Sequence, residues 1–453
     1  MALTKHFAAE NSSFFETESI WRILLRIAPP VMLAQLIQAL YNIVDSYFVG
    51  QYSDAGLTAL SVIFPIQLIV SALAIGTGVG VNTQMSREYA RHRPDSADEA
   101  AGTGTVLAAG TWALFAAASL LILRPYSQMS ANTAQTVECA VTYGGIVCVG
   151  SLGIFLESIW SKVHQAGGNM FLPMAAQIAG ALVNIVLDPI LIFGLFGVPE
   201  LGITGAALAT VAGQFTAAVI VGLRGFRKAP APRAMLPQIR AIYKLGFPSI
   251  FMQMLFTVYI VALNVILAGF SEAAVTVLGL YYKLQSFFFI PLQGLETCII
   301  PMLSYNFSCG AYGRCRQIMN SAMGISAALM LLGVVCFELI PEQMIGLFSK
   351  SADVLEIGRT AFRLVGLSFI PAVASLLTPV FFQAIGAAWQ SLLLSLCRQL
   401  FCLIPIFWLL SLVGLSYTWL AFPISEIITG TLGMFLYLRL LRQWRSENPE
   451  QSI

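Results

Sequence analysis

The chain has 453 residues, 58% of them apolar and 10% charged, with a net charge of +2 and a mean hydropathy of +0.80. A soluble domain carries about 25% charged residues, so this chain cannot cover a water-facing surface of its size, and its natural solvent is lipid. The near-neutral balance gives no footing for nucleic acid.

The eight cysteines (Cys139, Cys148, Cys298, Cys309, Cys315, Cys336, Cys397 and Cys402) form no CxxC pair, and His6, His92 and His164 assemble no cluster. Neither a disulfide framework, a metal site nor a His-based catalytic centre is expected. Residues 1–20 are mixed polar and lack a short apolar core with a small-residue cleavage site. The first long apolar run is therefore expected to remain as an anchor.

A helix crosses the hydrocarbon with about 20 residues. Apolar runs punctuated by Gly, Pro and charge predict twelve spans, near 22–49, 56–86, 100–123, 136–166, 171–197, 203–225, 241–269, 274–307, 313–338, 355–386, 390–414 and 417–441. With the N-terminus inside, alternate loops and both termini hold 18 of the 24 Lys and Arg residues, among them Arg87, Arg91, Arg93, Lys162, Arg224, Arg227, Lys228, Arg314 and Arg442. This is the positive-inside pattern, and one missed or invented span would break it. Both termini are expected on the cytoplasmic side.

The first span carries a polar stripe. Gln35, Gln38, Asn42 and Asp45 are spaced by three, four and three, which places them on one helix face. A carboxyl in the membrane is costly and normally faces a bundle interior or a wet cavity; a buried acid that fastens helices is the competing reading. In the fifth span Asn184 and Asp188 are four apart and Pro189 follows. Pro189 has no N–H, so the carbonyl of Ile185 loses its helical partner. Such oxygen groups bind hard cations or exchange protons, although a stabilised proline kink would use the same residues. At about 1.5 Å per residue, Asp45 is expected about 8 Å inside the outer end of its span and Asp188 about 12 Å. Two carboxyls close together in a low dielectric favour sharing a proton or a cation.

Gly76, Gly78 and Gly80 in the second span, and Gly202 and Gly205 entering the sixth, suit close helix approach. None sits in a strand–loop–helix phosphate-binding context, and no Walker motif is present.

The second half has its own polar positions. Gln253, Thr257 and Asn264 lie in span seven, and Lys283, Gln285, Gln293 and Glu296 in span eight. Lys283 and Arg398 are cations within spans, each able to pair with an acid, snorkel or touch a ligand. Glu296 could accept a cationic ligand or stand at the mouth of a cavity.

The sequence repeats with an offset of 218 residues. Pro30 matches Pro248, Gln35 matches Gln253, Tyr41 matches Tyr259, Gln67 matches Gln285, Gly76 matches Gly294, Ser86 matches Ser304, and Gln165 matches Gln383. Two copies of six spans run in the same direction, a parallel repeat of the kind that places a site at the interface of the halves. The expected lobes are 1–225 and 241–453, joined by a basic, proline-containing linker at 226–240. Positions 45 and 188 map onto Leu263 and Ile406, so an ion site built on the two acids would belong to the first lobe alone.

Leu-Tyr-Asn-Ile-Val-Asp-Ser-Tyr-Phe-Val-Gly at 40–50, Gln-Ala-Gly-Gly at 165–168, Asn-Ile-Val-Leu-Asp-Pro-Ile-Leu-Ile-Phe-Gly at 184–194 and Gly-Ala-Ala-Leu-Ala-Thr at 205–210 resemble the multidrug and toxic compound extrusion (MATE) transporters, in their DinF/MepA-like bacterial branch. The resemblance covers nearly the whole chain. It implies an all-α integral membrane fold of twelve helices in two pseudo-symmetric six-helix bundles around a V-shaped cavity. It also implies export of organic cations across the cytoplasmic membrane in exchange for H+ or Na+, with no enzymatic activity and no cofactor. The residues matching the family's ion site are Asp45, Asn184, Asp188 and Thr210. Gln35, Gln38, Asn42, Gln253, Thr257, Lys283, Gln293, Glu296 and Arg398 are the candidates for a substrate cavity, and a monomer in the bilayer is the expected working unit. The chain departs from the family in the loop after span two, Arg87 to Asp98, where the expected glycine is missing.

Two other transporters fit less well. A flippase for lipid-linked precursors would need a cavity rich in cations, and a major-facilitator protein would carry a Gly- and Arg-rich loop after span two. A membrane-embedded aspartyl protease would show a Gly-x-Gly-Asp context, which is absent.

Overall fold

A computed structural model describes residues 18–130, 133–346 and 352–447. Of the polar residues singled out above, Asn42 and Thr257 have side chains outside the described residues.

Twelve long helical segments follow one another: α1 (Ile20–Tyr52), α2 (Asp54–Ala90), α3 (Pro94–Ser130), α4 (Ala134–Ala166), α5 (Phe171–Phe193), α6 (Ile203–Gly225), α7 (Pro232–Ala268), α8 (Glu272–Ser308), α9 (Tyr312–Leu339), α10 (Ala352–Gly366 and Phe369–Ala384), α11 (Trp389–Ser411) and α12 (Leu415–Glu447). Among the described residues, eleven helices are long and apolar enough to cross a membrane, and α10 makes twelve if its two segments count as one span.

The span expected at 355–386 is a pair of helices that meet at a bend of 53°. Pro371 has no N–H for the carbonyl four residues back, and the Ser368 hydroxyl donates to the Val365 carbonyl at 2.6 Å. In α4 the Ser151 hydroxyl likewise donates to the Cys148 carbonyl, at 2.7 Å. Serine back-bonding of this type bends helices.

The 218-residue repeat is visible in the helix ends. Ser53 caps α2 by accepting the Gly56 N–H at 3.2 Å, and Ser271 caps α8 by accepting the Ala274 N–H at 3.1 Å. The turn that ends α2 places the His92 N–H on Tyr89 and the Arg93 N–H on Glu88; the turn that ends α8 places the Gly310 N–H on Phe307 and the Ala311 N–H on Asn306. Gly310 has φ 74° and His92 has φ 56°. The glycine missing after span two is thus replaced by a histidine that takes the left-handed conformation, which His tolerates better than most residues.

By internal contacts the chain divides into two compact units. One holds Leu25–Gln253; the other holds Glu18–Leu24 with the chain from Met254 onward. By contacts the division therefore falls within α7 and near the start of α1. Packing in the first unit centres on Val49, Ile63, Tyr143, Ile192, Ala206 and Ala207. In the second, the Phe337 ring stacks on Phe362 at 4.9 Å and meets Phe369 at 4.8 Å.

Candidate functional site

The site in the first unit is assembled from five helices. α5 and α6 run antiparallel in very close approach: a Cβ on Gly213 would stand 2.6 Å from the Gly180 carbonyl oxygen, and one on Gly205 would stand 2.5 Å from the Leu191 oxygen. Small residues are what permit this. The approach brings Asn184 of α5 against Thr210 of α6, and the Asn184 amide donates to the Thr210 hydroxyl at 3.5 Å.

Asp188 lies one turn from Asn184 and is fully buried; Asn184, Thr210 and Asp45 of α1 are buried as well. Asp45 and Asp188 act on each other electrostatically, and both act on Tyr41 of α1. Tyr143 of α4 lies beside Asp45 and Thr210, and its hydroxyl accepts from the Gln67 amide of α2 at 3.4 Å. The Gln38 amide donates to the Tyr41 hydroxyl, also at 3.4 Å.

Four buried oxygens here have no hydrogen-bond partner among the described residues: Asp45 Oδ1, Asn184 Oδ1, and both Asp188 oxygens. Buried polar atoms are ordinarily paired, and one left unpaired costs about 1–3 kcal/mol. A cluster of four on three side chains is the chemistry of a place that receives a cation or a proton. Among the described residues no group of three or more His, Cys, Asp or Glu residues could hold a metal ion; this cluster reaches its oxygen count through an amide and a hydroxyl.

The depths differ from expectation. α5 ends at Phe193, because Gly194 caps it with φ 71°, a common helix stop. Asp188 therefore lies five residues from its helix end, about 8 Å, and Asp45 seven residues before Tyr52, about 10 Å.

Tyr143 and Gln67 were not assigned to the site from the sequence. Gln67 and Tyr41 carried a signal, since both recur in the repeat. Tyr143 carried none, because its counterpart is Ala361.

The candidates in the second half do not assemble in the same way. Gln253, Lys283 and Gln293 are exposed, and Gln35 is half-buried. Arg398 is engaged by Glu426 of α12: its Nε donates to both carboxylate oxygens at 2.9 and 3.1 Å, and an Nη stands 2.8 Å from Oε1. The Ser375 hydroxyl of α10 completes the coordination of Glu426. Glu296 feels the charge of Arg398, and its buried Oε1 has no partner among the described residues. Glu426 is not among the sequence candidates; an acid in an apolar span facing an unexplained in-span Arg is the signal that marks it.

The MatE family model matches residues 30–190 and again 248–430. The two matches begin 218 residues apart, as the repeat requires. The chain belongs to the MATE family of transporters. Its curated relatives include the multidrug export protein MepA of Staphylococcus saprophyticus, 23% identical with 96% of each chain covered. MepA of Staphylococcus aureus strain NCTC 8325 is 25% identical over the same share of each chain. An FAD transporter of Shewanella oneidensis is 23% identical over 93% of this chain and 95% of its own.

Solved MATE structures share the fold. A multidrug resistance MATE transporter of the MOP superfamily in an outward-facing conformation superposes with a TM-score of 0.88, at 21% identity, over 96% of this chain and 98% of that one. A MOP superfamily transporter from Pyrococcus furiosus gives 0.86, at 22% identity, over 95% and 97%. This MATE chain is a multi-pass membrane transporter with no role as an enzyme.

Proposed function

We propose that this chain exports organic cations across the bacterial cytoplasmic membrane in exchange for H+ or Na+, and that Asp45, Asn184, Asp188 and Thr210 hold the coupling ion. The observation that carries this reading is the group of four buried, unpartnered oxygens on Asp45, Asn184 and Asp188. Carboxylate, amide and hydroxyl oxygens suit a hard cation, and two neighbouring carboxyls in a low dielectric suit a shared proton. Loading the pair removes their mutual repulsion and lets α1 bend near Pro29 and Pro30, which lie inside it. The difference in ion affinity between the two states sets how far the equilibrium moves.

The repeats act as two lobes, about 1–225 and 241–453, in a monomer with both termini in the cytoplasm. A flippase for a lipid-linked precursor has less support, because Arg398, an in-span cation able to hold a pyrophosphate, is already bound by Glu426.

The test is efflux of a fluorescent organic cation from vesicles under an imposed Na+ gradient and then a pH gradient, with Asp45→Asn and Asp188→Asn beside the wild type. One gradient is expected to drive export, and both variants to lose the coupling while remaining folded. Transport by both variants at the wild-type rate, or no response to either gradient, would discard the mechanism.

A further inference from the structure

A column of polar side chains continues from the Asp45–Asp188 site along the α4–α5–α6 interface. α4 and α6 run parallel: Gly150 packs on Val211, Gly153 on Gln214, and Gly222 on Trp160. The first step of the column is the Asn184–Thr210 pair. One turn along α6 comes Gln214, whose buried Oε1 has no partner among the described residues. Glu157 stands one turn beyond Gly153 on α4. Its Oε1 accepts from the Ser161 hydroxyl at 2.7 Å and from the Gln177 amide of α5 at 3.4 Å.

Gln177, Asn184 and Asp188 are spaced by seven and four, so they share one face of α5. Between these steps the walls are small: Gly180, Ala181, Ala217 and Ala218 are all buried. A polar group therefore recurs about every 5.4 Å of helix, from Asp188 to Ser161.

An acid inside a membrane helix is expensive and seldom idle. Ser161 and Lys162 of α4 and Gln177 of α5 are the groups that act on Glu157, and Lys162 is the one charge among them. Lys162 Nζ itself donates to Gln165 Oε1 at 2.8 Å. The repeat separates this acid from a packing requirement, because the counterpart of Glu157 is Ser375 and that of Gln214 is Leu432. The column exists only in the half that carries Asp45 and Asp188.

We propose that this column is the inner leg of a proton path and that Glu157 is its terminal station. The proposal rests on proton loading of the Asp45–Asp188 site. An O–H bond breaks at the Asp188 carboxyl, and the proton crosses through water held by Gln214 Oε1. A new O–H bond forms on the Glu157 carboxylate, which then passes the proton to bulk water at the C-terminal end of α4.

The full-length protein in vesicles tests this, with Glu157→Gln, Glu157→Asp, Gln214→Leu and Asp188→Asn beside the wild type. Three readouts are taken: transport of a fluorescent organic cation driven by a pH gradient, its dependence on pH at the α4 C-terminal side, and affinity for the dye. Glu157→Gln is expected to lose at least tenfold in driven transport and to flatten the pH profile, with dye affinity within twofold. Glu157→Asp should recover part of the rate, and Gln214→Leu should lose severalfold. Normal driven transport by Glu157→Gln with Asp188→Asn inactive overturns the path and leaves the ion site standing; normal transport by both overturns the two together. Loss of dye affinity and transport alike in Glu157→Gln makes the residue a helix fastening and also overturns the path. So does a wild type driven by Na+ alone.

Discussion

Gly180 of α5 and Arg398 of α11 occupy the same place in the 218-residue repeat, yet their surroundings are built in opposite ways. Gly180 lets α5 and α6 touch backbone to backbone, and the buried oxygens of Asn184 and Asp188 that follow are left without partners. At Arg398 the helix loosens into a π-helical segment, Cys397–Leu403, which brings the sulfurs of Cys397 and Cys402 to 3.6 Å. The guanidinium meets Glu426 through Nε and one Nη, and Ser375 also holds that carboxylate. At these equivalent places the first unit leaves the carboxyls of Asp45 and Asp188 unsatisfied among the described residues, and the second buries a satisfied ion pair, with the unpartnered Oε1 of Glu296 elsewhere in that unit. A polar group with no internal partner is free to take an external one; a pair with matched charge and geometry has little to gain from a ligand. Equivalent places in the repeat therefore carry buried oxygens open to an external partner in the first unit and a fixed brace in the second.

Removing one partner of the brace should have the largest effect. Arg398→Ala strands a buried carboxylate and is expected to cost about 3–5 kcal/mol, read as a lower thermal unfolding midpoint in detergent. The double variant Arg398→Met with Glu426→Leu should cost less than either single change. Asp188→Asn breaks no hydrogen bond among the described residues, and its effect on the same midpoint should stay under about 1 kcal/mol. If Asp188→Asn destabilises as much as Arg398→Ala, the carboxyl is structural and the contrast between the units fails.

A middle-sized effect should come from the helix contact itself. Gly213→Val places side-chain carbon where the Gly180 carbonyl already stands, and overpacking of this kind costs about 1–3 kcal/mol. It should also separate Asn184 from Thr210 and weaken ion coupling in vesicle transport. The equivalent position in α12 is Thr431, which is exposed, so Thr431→Val should change stability by less than about 0.5 kcal/mol. Equal responses at the two positions would show that the close approach of α5 and α6 is not what sets the site apart.

Much of this was legible in the sequence, because membrane burial makes polar residues conspicuous. Asp45, Asn184 and Asp188 stand out in apolar runs, and the structure brings them to one buried cluster in the first unit. The spans and the repeat were legible for the same reason: hydropathy is summed over many residues and survives local irregularity. What stayed hidden depends on helix register and contact. Lys162 was read as an inner-loop cation and lies inside α4. Glu157 was not singled out, since its partners Ser161 and Gln177 are recognisable only once α4 and α5 are packed. The π-helical segment was invisible because it is a change in hydrogen-bond register, which no spacing of apolar residues announces.

The smallest expected effect concerns the turn where the two copies differ by one residue. His92 and Gly310 take the same left-handed conformation within the same hydrogen-bond pattern. His92 is exposed, and a Cβ on Gly310 would meet nothing within 4 Å, so backbone preference alone separates the positions. A left-handed non-glycine residue costs roughly 1–2 kcal/mol, whereas glycine loses more entropy on ordering. Gly310→Ala should therefore lower stability by about 1 kcal/mol, and His92→Gly should raise it by about 0.5 kcal/mol as the two terms partly cancel. Denaturation midpoints of the two variants in the same detergent would show changes of opposite sign. If both substitutions destabilise, the His92 side chain contributes something beyond conformation, and the two turns differ by more than backbone preference.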